Sequence, residues 1–313
     1  QLSKYEVYDD LFPSRKDGVN AWVTIMRGCD KFCTFCIVPF TRGRERSRSV
    51  DGIVKEVKKA IVNGFSEITL LGQNVNSYNY NDEKFPELLN AVAKIDGVKR
   101  IRYTSPHPQD INEELLEIMA KHDNICNYIH LPLQAGSNRI LKRMNRTYTK
   151  ENFIELTEKI RTFLPGVGIS TDIIVGFPGE TEEEFNETLE VMRKVKFDSA
   201  FTFKYSPRKG TKAIEYDDQL DENEKQHRLT KVIELQRINT ELRNQSYINK
   251  VVDVLIEKKS KRNEHKWAGR TDSNKWVIFN RLDFNINDIV PVLITKSKGI
   301  TLYGDIIKKV KVA

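Results

Sequence analysis

The chain has 313 residues, 30% of them charged and 39% hydrophobic, with a formal net charge of +7. No apolar run approaches the ~20 residues of a membrane span, the first ten residues lack the basic start and apolar centre of a signal peptide, and four cysteines are too few for a disulfide scaffold. What remains is a cytoplasmic protein of one large and one small domain, or of two medium ones, with no membrane partner. Gln1 stands where a complete chain would carry Met, which points to a fragment of a longer protein.

In chain order, residues 1–14 read as a linker. Residues 15–248 alternate short apolar runs with helical patterns. The strand expectations are Ala21–Met26, Glu67–Leu71, Arg100–Thr104, Ile125–Leu131, Val167–Val175 and Ser199–Tyr205. The helices between them are Ser49–Asn63, Glu87–Lys94, Asn112–His122, Ser137–Met144, Lys150–Phe163 and Thr181–Val195. Thr181 and Glu184 form a capping-box pattern, and Gly64 suits the end of the first helix. Six strand–helix units imply an α/β fold, a parallel sheet curled into a partial (βα)6 barrel. Asp221 to about Tyr247 reads as a long charged helix with Leu229, Val232, Leu235 and Leu242 on its apolar side. Residues 249–313 then read as strands without helices, namely Val251–Glu257, Lys275–Phe279, Ile289–Thr295 and Thr301–Val310, which implies a small OB-like barrel.

Charge is segregated. Lys250–Ala313 carries 14 Lys and Arg against 7 Asp and Glu, so the whole basic excess lies in the last fifth of the chain. Such a module suits a polyanion, most readily nucleic acid.

Three cysteines fall in Arg27-Gly28-Cys29-Asp30-Lys31-Phe32-Cys33-Thr34-Phe35-Cys36, directly after the first strand. One loop of this spacing can wrap a four-iron cluster with three thiolates and leave one iron open to an outside donor. S-adenosylmethionine can fill that corner with its amino and carboxylate groups, and an electron from the cluster then breaks its sulfur–C5′ bond to give a 5′-deoxyadenosyl radical. The competing reading is structural zinc, which prefers two separated pairs of ligands; no second pair exists and no histidine is near in sequence. The loop also lies at the carboxyl end of a barrel strand, where α/β barrels place their chemistry. Cys126, alone in an apolar context, reads as a buried strand thiol.

The run Met26–Arg48 resembles the radical S-adenosylmethionine superfamily, and in particular the tRNA-modifying MiaB group of methylthiotransferases. Thr69–Tyr78, Ile101–Pro108, His130–Ser137, Thr171–Thr181 and Phe203–Thr211 resemble the same group. The resemblance implies that Cys29, Cys33 and Cys36 hold a [4Fe-4S] cluster. It implies that Phe35 lies against the adenine of S-adenosylmethionine, that Gly72, Gln73 and Asn74 reach its methionyl end, and that Gly176, Phe177 and Pro178 pass beneath its ribose and adenine. Trp267–Asp272 resembles the TRAM domain of these enzymes, which implies an RNA-docking module. Proteins of this group carry a further amino-terminal domain with three more cysteines and a second [4Fe-4S] cluster, which these residues cannot supply.

Arg42, Arg44, Arg46 and Arg48 alternate, and in an extended segment would project to one side as a phosphate clamp. In the basic module, Lys258, Lys259, Lys261, Arg262, Lys266 and Arg270, with Lys275, surround Trp267 and Trp276, a mixture that suits looped RNA. The solvated-face alternative would bury the two tryptophans, Trp276 above all. Removal of residues 250–313 is expected to weaken tRNA binding and spare cofactor cleavage.

The implied reaction is methylthiolation of carbon 2 of N6-isopentenyladenosine beside the tRNA anticodon. Its partners would be the anticodon stem-loop and an electron donor such as flavodoxin or ferredoxin, and the chain would be a monomer. The rivals are a sibling enzyme acting on threonylcarbamoyl-adenosine or a ribosomal-protein aspartate, and a non-catalytic RNA-binding protein with a structural metal.

Overall fold

A computed structural model describes residues 18–307; the expected linker and the last residues of the strand expected to reach Val310 lie outside them. Six strands form the larger unit: β1 (Asn20–Thr24), β2 (Glu67–Leu71), β3 (Arg100–Tyr103), β4 (Tyr128–His130), β5 (Gly168–Val175) and β6 (Ser199–Lys204). All neighbours run parallel, β1 on β2, β2 on β3, β4 on β5 and β5 on β6. A single parallel bridge, Ile101 to Ile125, carries the sheet from β3 toward β4. Among the described residues β1 and β6 do not pair with each other, so the curl stays open on one side. This is the expected partial barrel.

The helices are α1 (Val38–Arg42), α2 (Val50–Val62), α3 (Phe85–Ala93), α4 (Glu113–Lys121), α5 (Asn138–Arg143), α6 (Lys150–Phe163), α7 (Glu182–Val195) and α8 (Glu222–Gln245). Their starts follow their caps: the Ser49 hydroxyl accepts from Gly52 N, and Thr181 with Glu184 closes a capping box. The period of two divides the sheet residues by face. Ala21, Val23, Ile68, Leu70, Ile101, Ile129, Ile169, Ile173 and Val175 join the apolar core with the helices. The alternate positions, Trp22, Thr69, Arg102, His130, Asp172 and Phe201, line the inside of the curl.

Helix α8 meets the expectation at Val232, in the core, and at Leu229 and Leu235, packed against it, but not at Leu242. Its buried side is largely polar, comprising Lys225, Arg228, Gln236, Asn239, Thr240 and Asn244 around Val232, while Leu242 is 48% exposed. The polar side is satisfied by the barrel: Gln236 donates to Phe197 O (2.9 Å), Asn239 to Met192 O (2.9 Å) and Thr240 to Asp198 O (3.1 Å). Carbonyls at the end of α7 and in the loop after it supply the partners, so the helix docks through hydrogen bonds as well as through its apolar residues.

The smaller unit is a closed five-stranded barrel of β7 (Val251–Ser260), β8 (Asn263–Thr271), β9 (Trp276–Asn280), β10 (Ile289–Lys298) and β11 (Thr301–Ile306), in spatial order β7-β8-β9-β11-β10. Strand β8 was not anticipated, because its charged first half hides the apolar alternation. Gly269 and Gly304 permit the tight wall, since a Cβ on either would lie 2.1 Å and 2.2 Å from a facing carbonyl oxygen.

This barrel closes the amino-terminal end of the larger one. Arg102 donates to Glu67 (2.9 Å) and to the carbonyls of Asp272 (3.1 Å) and Thr271 (2.8 Å). Arg270 returns to Glu67 (2.8 Å), Lys275 pairs with Asp198 (2.8 Å), and Ser66 meets Asn287 (2.7 Å). Burial pushes the Glu67 carboxyl up, but Arg102 and Arg270 outweigh it and hold it below the usual range. Asp198 is likewise held low by Lys275 and Arg243 against the same burial.

Candidate functional site

The cysteine loop leaves the carboxyl end of β1, opposite the closed end. Met26 and Arg27 pair antiparallel with Ser47 and Arg46, which folds residues 28–45 into a lobe over the barrel mouth. Gly28 is the hinge. Its φ is +80°, a Cβ there would fall 2.1 Å from Arg44 O, and its N–H donates to Gln73 Oε1 (2.7 Å). Cys29 N then donates to Gly43 O (3.2 Å) and Cys36 N to Cys33 O (3.0 Å).

The back of the lobe is held by the segment after α5. Thr34 donates through its N–H to Met144 O (3.1 Å) and through its hydroxyl to Arg143 O (2.8 Å). Asn145 Nδ2 donates to Lys31 O (3.1 Å) and Phe32 O (3.0 Å), and Arg146 Nη1 reaches Cys33 Sγ at 3.4 Å. Cys29, Cys33 and Cys36 are all partly exposed free thiols, whereas Cys126 is buried as anticipated. Burial pushes Cys29 up to about 11 and also raises Cys36. Such thiols keep their protons at neutral pH until a metal displaces them. No group of three or more His, Cys, Asp or Glu among the described residues is arranged around one metal ion. Three soft donors on one loop, backed by a cation at Cys33, fit an iron–sulfur cluster.

The strand-end positions divide. Phe35 meets Phe177 edge to face (centroids 6.5 Å), which joins the cysteine loop to the end of β5. Gly176 has φ +67° and packs on Lys225, with its N–H donated to Glu180 (2.7 Å). The Phe177 ring is fully buried against Tyr205 and Tyr216, and Gly176 and Pro178 on either side of it are buried too, at the end of β5. Gly72 presses on Met26, and Gln73 is spent on Gly28. Asn74 is buried, donating to Asp110 (3.0 Å) and accepting from His107 N (3.2 Å). Gln73 therefore braces the lobe at Gly28, while Asn74 ties the turn after β2 to the segment before α4.

The arginine run is not one extended face. Arg42 ends α1 and Gly43 turns the chain at φ +79°. Exposed Arg44 pairs with Asp30 (2.7 Å) and lies over the Phe32 ring, and Arg46 sits in the two-residue ladder. Arg48 is a correction: it is buried, donating to Thr24 O (2.6 Å) and Glu56 (2.7 Å), and so fastens α2 to the sheet. In the small barrel Lys258, Lys259, Lys261 and Arg262 are exposed around the β7–β8 turn, with Lys266 half-buried beside it. Trp267 is a second correction, 3% exposed in the barrel core. Trp276 is the outer ring instead, with Lys258 Nζ 4.6 Å from its centroid. Arg270 and Lys275 are turned to Glu67, Glu257 and Asp198 and serve the closed end.

Sequence reasoning missed Arg146 and Asn145, over a hundred residues from the cysteine loop they touch. It also missed a polar pair inside the barrel, where His130 meets Asp172 (3.3 Å) and Ser170 (2.8 Å) beside Phe201. The alternation of β4 and β5 carried a signal for the pair; Arg146 had none.

A family model described as the radical SAM superfamily matches residues 23–192, and one described as the TRAM domain matches residues 245–307. The chain is 48% identical over 303 residues to a protein of Clostridium tetani and 49% identical over 306 residues to one of Carboxydothermus hydrogenoformans, each named tRNA-2-methylthio-N(6)-dimethylallyladenosine synthase. The matches cover 96% of this chain in both cases, and 67% and 69% of those relatives. A relative of the same name in Acetivibrio thermocellus is 48% identical and is covered over 64% of its length. Among solved structures, Escherichia coli coproporphyrinogen III oxidase (HemN) aligns with TM-score 0.53 at 13% identity, over 82% of this chain and 67% of that one. The methyltransferase TsrM of Kitasatospora setae aligns at 0.50 and 17%, over 60% of this chain and 37% of that one. These two carry the fold alone.

Proposed function

The chain belongs to the radical S-adenosylmethionine superfamily and, within it, to the MiaB-type methylthiotransferases, and we propose that it performs the radical step in methylthiolation of carbon 2 of N6-isopentenyladenosine in tRNA. One observation carries the reading. Three thiols on a single loop, with no fourth ligand in that loop, stand at the mouth of a barrel whose far end is sealed by an RNA-type module. Relatives at 48% and 49% identity that are named for this reaction favour the isopentenyl substrate over the sibling ones.

Cys29, Cys33 and Cys36 would hold a [4Fe-4S] cluster, and when bound with S-adenosylmethionine it supplies one-electron cleavage of the sulfur–C5′ bond. Phe35 offers a ring edge at the mouth, and the Gly176–Pro178 turn offers backbone close enough for a flat ligand. Gln73 holds Gly28 in its left-handed turn and so fixes the first thiol. The inner walls keep polar groups, His130 and Asp172, where a base would enter. Lys258, Lys259, Lys261, Arg262 and Lys266 neutralise phosphates, while Arg42 and Arg44 add charge at the mouth.

The chain spans about two thirds of the length of the relatives it matches. Sulfur delivery, with its second cluster, is assigned to the portion they have in addition. An anticodon stem-loop, a flavodoxin or ferredoxin donor, a monomeric state and a cytoplasmic location complete the proposal; no described helix is long and apolar enough to cross a membrane. Anaerobic reconstitution with iron and sulfide, then reduction with S-adenosylmethionine present, should yield 5′-deoxyadenosine. A chain that binds zinc alone and yields none would defeat the reading.

A further inference from the structure

The segment between α5 and α6 plays no part in that reading, yet it forms the wall behind the cysteine loop. From it Arg146 extends a guanidinium anchored at three points. Nη1 donates to Cys33 Sγ (3.4 Å), Nη2 to Pro132 O (3.1 Å) and Nε to the Tyr148 hydroxyl (2.9 Å). The guanidinium also lies over the Tyr148 ring, 5.1 Å from its centroid. Tyr148 is itself fixed, donating to Pro132 O and Leu133 O at 2.9 Å each.

Among the described residues no carboxylate pairs with Arg146; its polar partners are the Tyr148 hydroxyl, the Pro132 carbonyl and the Cys33 thiol. Taking a guanidinium out of water without an anion is costly, and proteins seldom leave one so. Lys31, a cation of the cysteine loop itself, has its carboxylate in Asp110 (2.7 Å). Arg146 is aimed at sulfur instead. Its fork is rigid and always protonated, so its direction is set by the backbone around it.

We propose that Arg146 is the counter-ion and hydrogen-bond donor of the cluster held through Cys33, a positioning residue that favours the form carrying the additional electron. The inference rests on the reading of Cys33 as a ligand. Potentials of such clusters follow net charge, hydrogen bonds to sulfur and access of water. Reduction adds one electron from an outside one-electron donor and makes or breaks no bond. It increases the negative charge on the sulfurs, so a charge-assisted hydrogen bond strengthens on reduction. The two carbonyl and hydroxyl anchors would hold the loop without the Cys33 contact, which is why the contact itself can be tested.

The full chain, reconstituted anaerobically with iron and sulfide, is titrated with a chemical reductant and followed by electron paramagnetic resonance and visible absorbance. Arg146→Gln keeps a donor and loses the charge; its reduced-to-oxidised ratio at a fixed reductant poise should fall about tenfold. Arg146→Lys keeps the charge and should stay near the parent. If both variants load a full cluster and reduce like the parent, the inference is overturned. If Arg146→Gln folds by circular dichroism but loads no cluster while Arg146→Lys does, the charge assignment stands. Loss of loading in both alike reduces Arg146 to a structural brace and overturns it. A parent chain that takes up no iron–sulfur cluster condemns the cysteine assignment as well, which separates the two failures.

Discussion

The two ends of the larger barrel are built from similar residues put to opposite uses. At the amino-terminal end Glu67, Arg102, Arg270, Asp198 and Lys275 are paired to one another across the boundary with the small barrel. At the carboxyl end the Arg146 guanidinium stands against the Cys33 thiol with no carboxylate paired to it among the described residues, and Arg42 lies exposed at the end of α1. Buried charges that are mutually satisfied hold parts together; charges left facing a thiol or solvent are available to something that arrives. The contrast separates scaffold from site more reliably than residue type does.

The largest test falls on the open end. Cys33→Ala should lower 5′-deoxyadenosine formation by at least about 100-fold, with little change in the urea midpoint, because Arg146 keeps its bonds to Pro132 and Tyr148 when the thiol is gone. Next comes the closed end. Glu67→Ala strands Arg102 and Arg270 and should cost about 3–5 kcal/mol in urea unfolding; a loss under 1 kcal/mol would show that the pairing is incidental. Acid sharpens the same contrast. Glu67 and Asp198 titrate below their ordinary values in the folded state. Their contribution is therefore whole above the usual carboxylate pKa of about 4 and fades as pH falls through the lower folded values. The urea midpoint measured at pH 7, 4.5 and 3 should drop only at the acid end, and Glu67→Gln should flatten that drop. The smallest effect is expected at the surface. Lys259→Gln with Lys261→Gln should weaken an anticodon hairpin modestly and lower its salt slope by about one per lysine, whereas Arg48→Lys should alter stability and leave the slope unchanged.

Deleting residues 250–313 is a poorer test than it looks from composition. It would strip Glu67 of Arg270, Asp198 of Lys275, and Arg100 and Arg102 of their carbonyl partners, so a loss of cofactor cleavage would report unfolding as readily as lost RNA.

Much of the fold was legible. The caps of α2 and α7, the runs of the six parallel strands and the thiol spacing are local signals, and they lie where the local chemistry demands. What escaped depends on partners distant in sequence. Strand β8 is half charged because its first residues face water, so alternation surfaces late, at Trp267. Helix α8 conceals amides and a hydroxyl against carbonyls at the end of α7 and in the loop after it, which no apolar periodicity can report. Trp267 and Trp276 exchange roles because one residue of register decides which ring enters a barrel of five strands. Arg48 and Arg270 look identical in sequence to Arg42 and Arg44. Only Glu56 and Glu67, brought near by folding, make them structural.

The arginine and lysine bonds that cross from one barrel to the other leave little slack between the cationic β7–β8 turn and the thiol lobe. That separation is then a fixed length of the molecule, like the gap of a caliper. A polymer gripped at the turn can offer to the sulfur end only the unit lying that far along its contour, so position along a nucleic acid would be measured by span before any base is read.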